Sequence, residues 1–559
     1  ICTPDGGGWG NGDGKPDYTV HFYAQFSKPL KNYGVWSVAI PEGQSRKREF
    51  VESEVFQQLT AGAEIHRQVS SFEGKHLGFF TEFETTKDEV VLMKAGISFV
   101  SEENARENLE TEIADWDFER VLQSNQQAWN EALSKVEVAS DDEELKHIFY
   151  TALYRTMIDP RLYSDANGEY MGGDKKIHQT GSFQKRTIFS GWDVFRSEMP
   201  LLTLIRPDVI SDLLNSLITL ADESGKGYLE RWEFLNAYSG CMIGNPAISV
   251  LLDAYKKQIR NYDLEKAWQY AEESSRLFGN AKYGYVPGSI SSTLEYAYTE
   301  WCMAELAKAL GKTSEEEYYR KLSKSYQHIY DAEHRSFRPK DEKGNFLPWP
   351  EKGRLTEGYG CVETNPFQQG WFVPHDIEGL TQLMGGREKA IEELDYMFAN
   401  TPTDFLWNQF YNHANEPVHH VPFLYNRLGQ PWKTQYWTRF ICQKAYKNEV
   451  KGLVGNEDVG QMSAWYVLAS IGMHPICPGD TRMELSAPLF DEVTLRLAGG
   501  KVFTIRVNGQ SPQNTYIQSA TLNGKPYTKC YIDYQDVVQG GVLELTLSDQ
   551  PNKNWGVGE

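Results

Sequence analysis

The stretch Pro207-Asp208-Val-Ile-Ser-Asp-Leu213-Leu214-Asn-Ser-Leu217-Ile-Thr-Leu220 decides the architecture. Its leucines recur at i, i+1, i+4 and i+7 behind a proline, so they form the apolar stripe of a helix with a defined start. The same period continues on both sides. Leu145, Ile148, Phe149 and Leu153 follow an acidic turn, and Ile248, Leu251, Leu252 and Tyr255 form another stripe. Leu294, Tyr298, Trp301 and Leu306 end at Gly311, and a further run spans 377–398. From about Asp141 to Gly472 the chain therefore reads as helical hairpins punctuated by Gly and Pro. No fixed-period repeat of the kind solenoids need is present, and the polar signatures fall in loops of uneven length. A closed (α/α) toroid with chemistry on its loops is the expectation.

The flanks read differently. Between residues 18 and 100, Tyr18-Thr-Val-His-Phe-Tyr-Ala-Gln-Phe26, the run 34–40 and the run 90–100 are short alternating strands, the pattern of an antiparallel β-sandwich. Residues 102–135 are charged, with helical spacing at Leu109, Ile113, Trp116, Phe118 and Val121. After Pro478 strands return at 493–497, 502–507, 515–521 and 542–547, a second β-element able to complete the first sandwich. The expected fold is α+β and multidomain. Its parts are 1–100 as part of an N-terminal β-sandwich, 101–140 as a helical linker, 141–478 as the helical toroid and 479–559 as a C-terminal β-rich segment.

Composition narrows the chemistry. A formal charge of -21 over 559 residues, without clustered Lys and Arg, excludes a nucleic-acid partner. No run approaches a membrane span, and the mean hydropathy of -0.53 is that of a water-soluble chain. Aromatics at 13%, with 31 Tyr and 15 Trp, suit a protein that stacks sugar rings as well as one with an aromatic core. Seven widely spaced cysteines lack any Cys-x-x-Cys pair, so neither zinc nor a disulfide framework is indicated. The Gly-rich run 5–14 carries Asp and Asn but not the spacing of an EF-hand, and reads as a linker or turn. The chain opens at Ile1 with no Met or signal-like segment, as though in mid-domain.

Five segments concentrate Asp, Glu, His, Asn and Trp. They are Ser190-Gly-Trp192-Asp193-Val-Phe-Arg196, Glu230-Arg231-Trp232-Glu233, Cys361-Val-Glu363-Thr-Asn365, Asn415-Glu416-Pro-Val-His419-His420, and Gly455-Asn456-Glu457-Asp458-Val-Gly460-Gln461. Glu363 and Asp458, 95 residues apart, supply the two carboxylates that glycoside hydrolysis needs, though a chain with 77 acids offers many such pairs. His419 and His420 lack a third His or Cys at zinc spacing. Asn415, Glu416, Asn456, Glu457 and Asp458 make an oxygen-rich set suited to Ca²⁺, and Asn456 and Asp458 are equally placed to cap the helix that begins near Gln461. No Gly-x-Ser-x-Gly elbow or phosphate-binding Gly motif is present.

Six motifs, three of them overlapping these segments, occur together and in order: Gly191-Trp-Asp193-Val-Phe-Arg196, Gly240-Cys-Met-Ile-Gly244, Trp371-Phe-Val-Pro-His375-Asp376, Glu416-Pro-Val-His-His420 with Tyr425-Asn426, Gly429-Gln-Pro-Trp432-Lys433-Thr-Gln435, and 455–466. Together they resemble glycoside hydrolase family 92, from about residue 18 to the C-terminus. The resemblance implies calcium-dependent, inverting exo-α-mannosidase activity, with an N-terminal β-sandwich packed on an (α/α)6 toroid and the site at their junction. It implies Glu363 as general acid, Asp458 as general base and Asn456 in support of water or metal. Asp193, Trp192, Arg196, Arg231, Glu416, His419, His420 and Lys433 would bind the sugar. Asn415, Glu416, Asn456 and Asp458 would hold Ca²⁺. Like charge from Asp458, Glu457 and Glu416 is expected to raise the Glu363 pKa.

The motifs also depart from the family pattern. Glu363-Thr-Asn-Pro-Phe-Gln-Gln369 stands where Glu-Gly-Asn-Ala-Trp-Gln-Tyr is common, and Asn415 replaces the His that accompanies an α-1,2 preference. The family's sandwich exceeds what residues 18–100 provide, so association with a missing N-terminal fragment is expected. The alternatives are a degenerate mannose-binding member and a mannose-1-phosphodiester hydrolase. The substrate class implies a secreted, periplasmic or cell-surface location, any signal lying upstream of Ile1.

Overall fold

The computed structural model describes residues 12–13, 17–44 and 47–558. The Gly-rich run 5–14 lies mostly outside them. Its Asp13 carboxylate accepts from Lys226 Nζ at 2.5 Å and from the Tyr238 backbone N–H at 3.0 Å.

The helical body sorts into two layers by composition. The helices Glu198–Ile205 and Gln461–Ser470 are buried along their whole length, and Pro246–Lys256 and Ile290–Ala309 nearly so. Between them in sequence come Pro207–Glu223, Leu264–Phe278 and Thr313–Leu322, each with one wet face. Leu213, Leu214, Leu217 and Leu220 form the dry stripe of Pro207–Glu223, whose first residue is the proline that lacks the N–H a helix start leaves unpaired. Gln461–Ser470 packs against Glu143–Arg155 and Glu198–Ile205, so the end of the body returns to its beginning.

The C-terminal strands form a six-stranded sheet in the order Lys525–Pro526, Tyr516–Leu522, Gly541–Ser548, Val502–Asn508, Glu492–Arg496, Val136–Ala139. All pairs are antiparallel except Val502–Asn508 with Gly541–Ser548. One face (Val493, Leu495, Phe503, Ile505, Leu543, Leu545) is continuous with the helical core. This corrects two expectations. The C-terminal strands do not complete the N-terminal sandwich, because their apolar face is already spent on the helical body. The segment 101–140 is not wholly helical, since Val136–Ala139 pairs with Glu492–Arg496 after the helices Glu102–Glu112 and Phe118–Leu133.

The N-terminal region holds two small sheets, His21–Phe26 with Met93–Ser98, and Glu64–Arg67, Asn32–Ser37 and Leu77–Glu82 with Asn32–Ser37 in the middle. Among the described residues neither pairs with the C-terminal sheet. The six described cysteines are free thiols, five of them buried.

Candidate active site

Three loops bring acids together. Asp193 sits in the helical turn Gly191–Val194, which the pairing of Phe189–Ser190 with Trp232–Phe234 holds in place. Glu416 opens the 3-10 turn Glu416–Val418, and Asp458 lies just ahead of Gln461–Ser470. One carboxylate oxygen from each lies within 4.8 Å of the others. Asp193 and Glu416 are buried, at 4% and 1% exposure, and Asp458 is half-buried.

Three ionised carboxylates at that spacing repel one another by about 3.5 kcal/mol per pair at an effective dielectric near 20. Little nearby offsets this. Asp193 accepts from Ser190 Oγ, but neither oxygen of Glu416 has a donor. Arg196 is the adjacent cation, and its Nη2 is bound to the buried Glu295 carboxylate at 2.9 Å. Burial above all, then the mutual repulsion, therefore drives Asp193 and Glu416 well above the usual carboxylate range; burial raises Asp458 too. The donor set fits a hard divalent cation. Oxygens up to 4.8 Å apart can share one ion at the 2.3–2.6 Å typical of Ca²⁺, and an ion would satisfy the orphaned Glu416 oxygens.

The backbone around Asp458 is strained. Asp458, Val459 and Gly460 have φ of 46°, 60° and 102°, left-handed values that cost a β-branched residue most. The strain is held by the helix start. Glu457 accepts from Ser463 N at 3.0 Å and Ser463 Oγ at 2.9 Å and pairs with Arg155 at 3.5 Å. The capping expected of Asn456 or Asp458 thus falls to Glu457, while Asn456 is exposed at the loop tip. The φ of Gly460 favours glycine, and a Cβ there would meet Glu198 Oε1 at 2.5 Å and force that side chain to move.

Glu363 stands outside the trio. Its φ is 52°, and its carbonyl accepts from Asn415 Nδ2 at 3.0 Å. The helical turn Pro366–Gln369 follows, closed by a capping box between Asn365 and Gln368. Partial desolvation first and Asp458 second raise the Glu363 pKa. Glu457 and Glu416 are not among the causes, against expectation: Glu457 is spent on the helix cap and Glu416 faces Asp193 and Asp458.

The remaining residues separate into those at the cluster and those behind it. Arg196 lies over the rings of Phe195, Phe372 and Trp192 at 4.6, 4.8 and 5.3 Å, and its Nε donates to Trp192 O at 3.0 Å. Arg231 lies between Tyr238 and Phe278, with Nη2 3.4 Å from Gly240 O. His420 donates from Nε2 to Trp371 O at 2.9 Å, and burial lowers its pKa to about 4, so it is neutral. Two assignments need correcting. Lys433 is held by Asp395 at 2.6 and 2.8 Å, on the flank where Pro431–Ala445 meets Arg387–Ala399. His419 is fully buried against His413 and Trp465, with both ring nitrogens bonded inside the protein. Glu295 escaped the sequence reading, although an acid inside the apolar helix Ile290–Ala309 was a visible signal.

Fold and site together define a helical body flanked by β-sheets, with a carboxylate cluster at its loop ends. Sequence comparison agrees with that class. The glycosyl hydrolase family 92 catalytic-domain model matches residues 104–549, and the family's N-terminal-domain model matches residues 3–98. The chain belongs to glycosyl hydrolase family 92. Among solved structures, the inverting mannosidase BT2199 of Bacteroides thetaiotaomicron is 31% identical with a TM-score of 0.87, over 97% of this chain and 74% of that one. The α-mannosidase BT3965 of the same species is 31% identical with a TM-score of 0.85, over 97% and 71%. An uncharacterized secreted glycosidase of Arthroderma benhamiae is 28% identical over 525 residues, 84% of this chain. The chain spans 62% of the length of that curated relative.

Proposed function

We propose that the protein is an exo-acting α-mannosidase that releases terminal mannose from N-glycan or mannan-type α-mannosides by calcium-dependent, inverting hydrolysis. The observation that carries this reading is the trio Asp193, Glu416 and Asp458, two of them buried, beside a Glu363 of raised pKa, in a chain 31% identical to an inverting mannosidase. Glu363, whose pKa is raised by partial desolvation and by Asp458, donates a proton to the leaving oxygen. Asp458 takes a proton from the attacking water. Glu363 is outside the trio yet close enough to feel Asp458, which suits two carboxylates separated by a water, roughly 6.5–9.5 Å apart in inverting enzymes. Asp193 and Arg196 orient sugar hydroxyls, Asn456 steadies the water from the loop tip, and Trp192 with the buried acids keeps bulk solvent out.

Asp193, Glu416 and Asp458 would hold Ca²⁺, with amide oxygens of Asn415 and Asn456 at hand on the same loops. A calcium ion held there would act as a Lewis acid and template for sugar hydroxyl oxygens, helping to distort the ring toward the flattened shape of the transition state. The uncovered apolar faces of the N-terminal sheets support a covering β-rich fragment as partner. The relative named as secreted supports a location outside the cytoplasm, and no helix among the described residues is long and apolar enough to cross a membrane.

The test is proton NMR on α-1,2, α-1,3, α-1,4 and α-1,6 mannobioses, with calcium and with excess chelator. Initial release of β-mannose that stops on chelation and returns with calcium is expected. Initial α-mannose would refute inversion, and sugar binding without turnover would favour a degenerate binding member.

A further inference from the structure

Each acid of the trio stands three or four residues before a partner of one buried side chain. Asp193 precedes Ser197, Glu416 precedes His419, and Asp458 precedes Gln461 itself. Gln461 is wholly buried at the start of Gln461–Ser470. Its Oε1 accepts from the backbone N–H groups of Ser197 and Glu198 at 2.9 and 3.2 Å, two of the unpaired donors at the start of Glu198–Ile205. Its Nε2 donates to Ser197 Oγ at 2.9 Å and to His419 Nδ1 at 3.2 Å.

The amide orientation is fixed, since only the oxygen can accept from two backbone N–H groups. So is the tautomer of His419: Nε2 donates to His413 O at 3.1 Å, which leaves Nδ1 bare to accept. Ser197, having accepted from Gln461, passes its own proton to His474 Nε2 at 2.9 Å. All four hydrogen-bonding positions of one amide are filled, and they join the three loops that carry the acids. No other Gln, Asn or hydroxyl side chain among the described residues bonds all three loops.

We infer that Gln461 is a positioning residue: it sets the separation of Asp193, Glu416 and Asp458 by tying their loops to one amide, and so governs how tightly that trio holds a divalent cation. The inference rests on the metal reading above. Glu198 backs the same joint, its buried carboxyl filling the space against Gly460. All four hydrogen bonds of the Gln461 amide are to protein groups.

The test compares Gln461→Met, which removes all four bonds, with Gln461→Glu, which keeps an acceptor for the two N–H groups. Leu545→Ala, in the C-terminal sheet, controls for lost stability alone. Calcium affinity is measured by titration calorimetry, the calcium-induced rise in Tm by calorimetric melting, and kcat and KM on an aryl α-mannoside. Gln461→Met is expected to weaken calcium at least tenfold and shrink the calcium-induced Tm rise, with Gln461→Glu intermediate. The control lowers the metal-free Tm but leaves the affinity alone. If Gln461→Met behaves like the control, with affinity within twofold of wild type, the inference is overturned. Should Gln461→Met fail to fold, Gln461→Glu and Ser197→Ala carry the same comparison. If wild type itself binds no calcium, the metal reading falls and kcat decides: a tenfold drop at constant KM sustains the positioning role, and an unchanged kcat ends it.

Discussion

The N-terminal and C-terminal sheets are built from similar alternating strands and end in opposite states. In the C-terminal sheet Val493, Leu495, Phe503 and Ile505 are all but inaccessible against the helical body. In the ladder of His21–Phe26 with Met93–Ser98 the cross-strand partners Phe22 and Ile97 share a face, with Met93 further along it. They are 51%, 59% and 59% exposed. The opposite, more polar face is the covered one: Lys94 and Ser98 lie under Glu102–Glu112, Lys94 Nζ donating to Ile113 O and Ser98 Oγ to Asp165. Phe79 and Ile65 of the neighbouring sheet are also about half exposed. Period-two alternation defines a face; it says nothing about what covers it.

The largest effects should come from the covered region. Asp458→Asn is expected to lower turnover about 10²- to 10⁴-fold on every mannoside, the range for losing a general base. Glu363→Gln should cost as much on poor leaving groups and far less on activated aryl mannosides. Steady-state kinetics on both substrate types checks the pair, and equal losses for Glu363→Gln would remove it from the acid role.

Leu495→Ala should cost about 2–5 kcal/mol in denaturant unfolding, since it empties a site with no solvent access. Acid should destabilise the body through its buried histidines. Burial lowers the His375 pKa to about 4 from 6.5, outweighing the opposing hydrogen bond from Nε2 to Ser323 O, and Nδ1 is buried without a partner. Its contribution is intact above pH 6.5 and is lost as pH falls toward 4, about 3 kcal/mol in all. A His375→Gln variant should show a flatter stability profile across that window. Smallest of all, Ile97→Thr should change stability by under about 0.5 kcal/mol and reduce binding of an apolar dye. A cost above about 2 kcal/mol would show that this face is covered after all, and the contrast between the two sheets would vanish.

The helical stripes were legible because burial imposes a period: Leu213, Leu214, Leu217 and Leu220 all face the core. Val136–Ala139 was not, since four residues beside a charged helix are too few to show alternation. The acid trio was beyond spacing rules altogether, as Asp193 and Glu416 meet through tertiary packing across 223 residues. Resemblance named the motifs but could not say which side of each faces the cluster. His419 and Lys433 sit in such motifs and point elsewhere, into the core and toward Asp395. Glu457, one residue from Asp458, proved to be a helix cap for the same reason.

The pairing of Val136–Ala139 with Glu492–Arg496 has a consequence for biosynthesis. Ala139 meets Glu492, 353 residues later, and the helix beginning at Glu143 waits for Gln461–Ser470. At roughly 5–20 residues per second a ribosome takes on the order of 20–70 s to make the intervening chain. For that interval the first helix of the body has Phe118–Leu133 beside it but lacks Gln461–Ser470, its main partner, and leaves an apolar flank uncovered until the tail emerges.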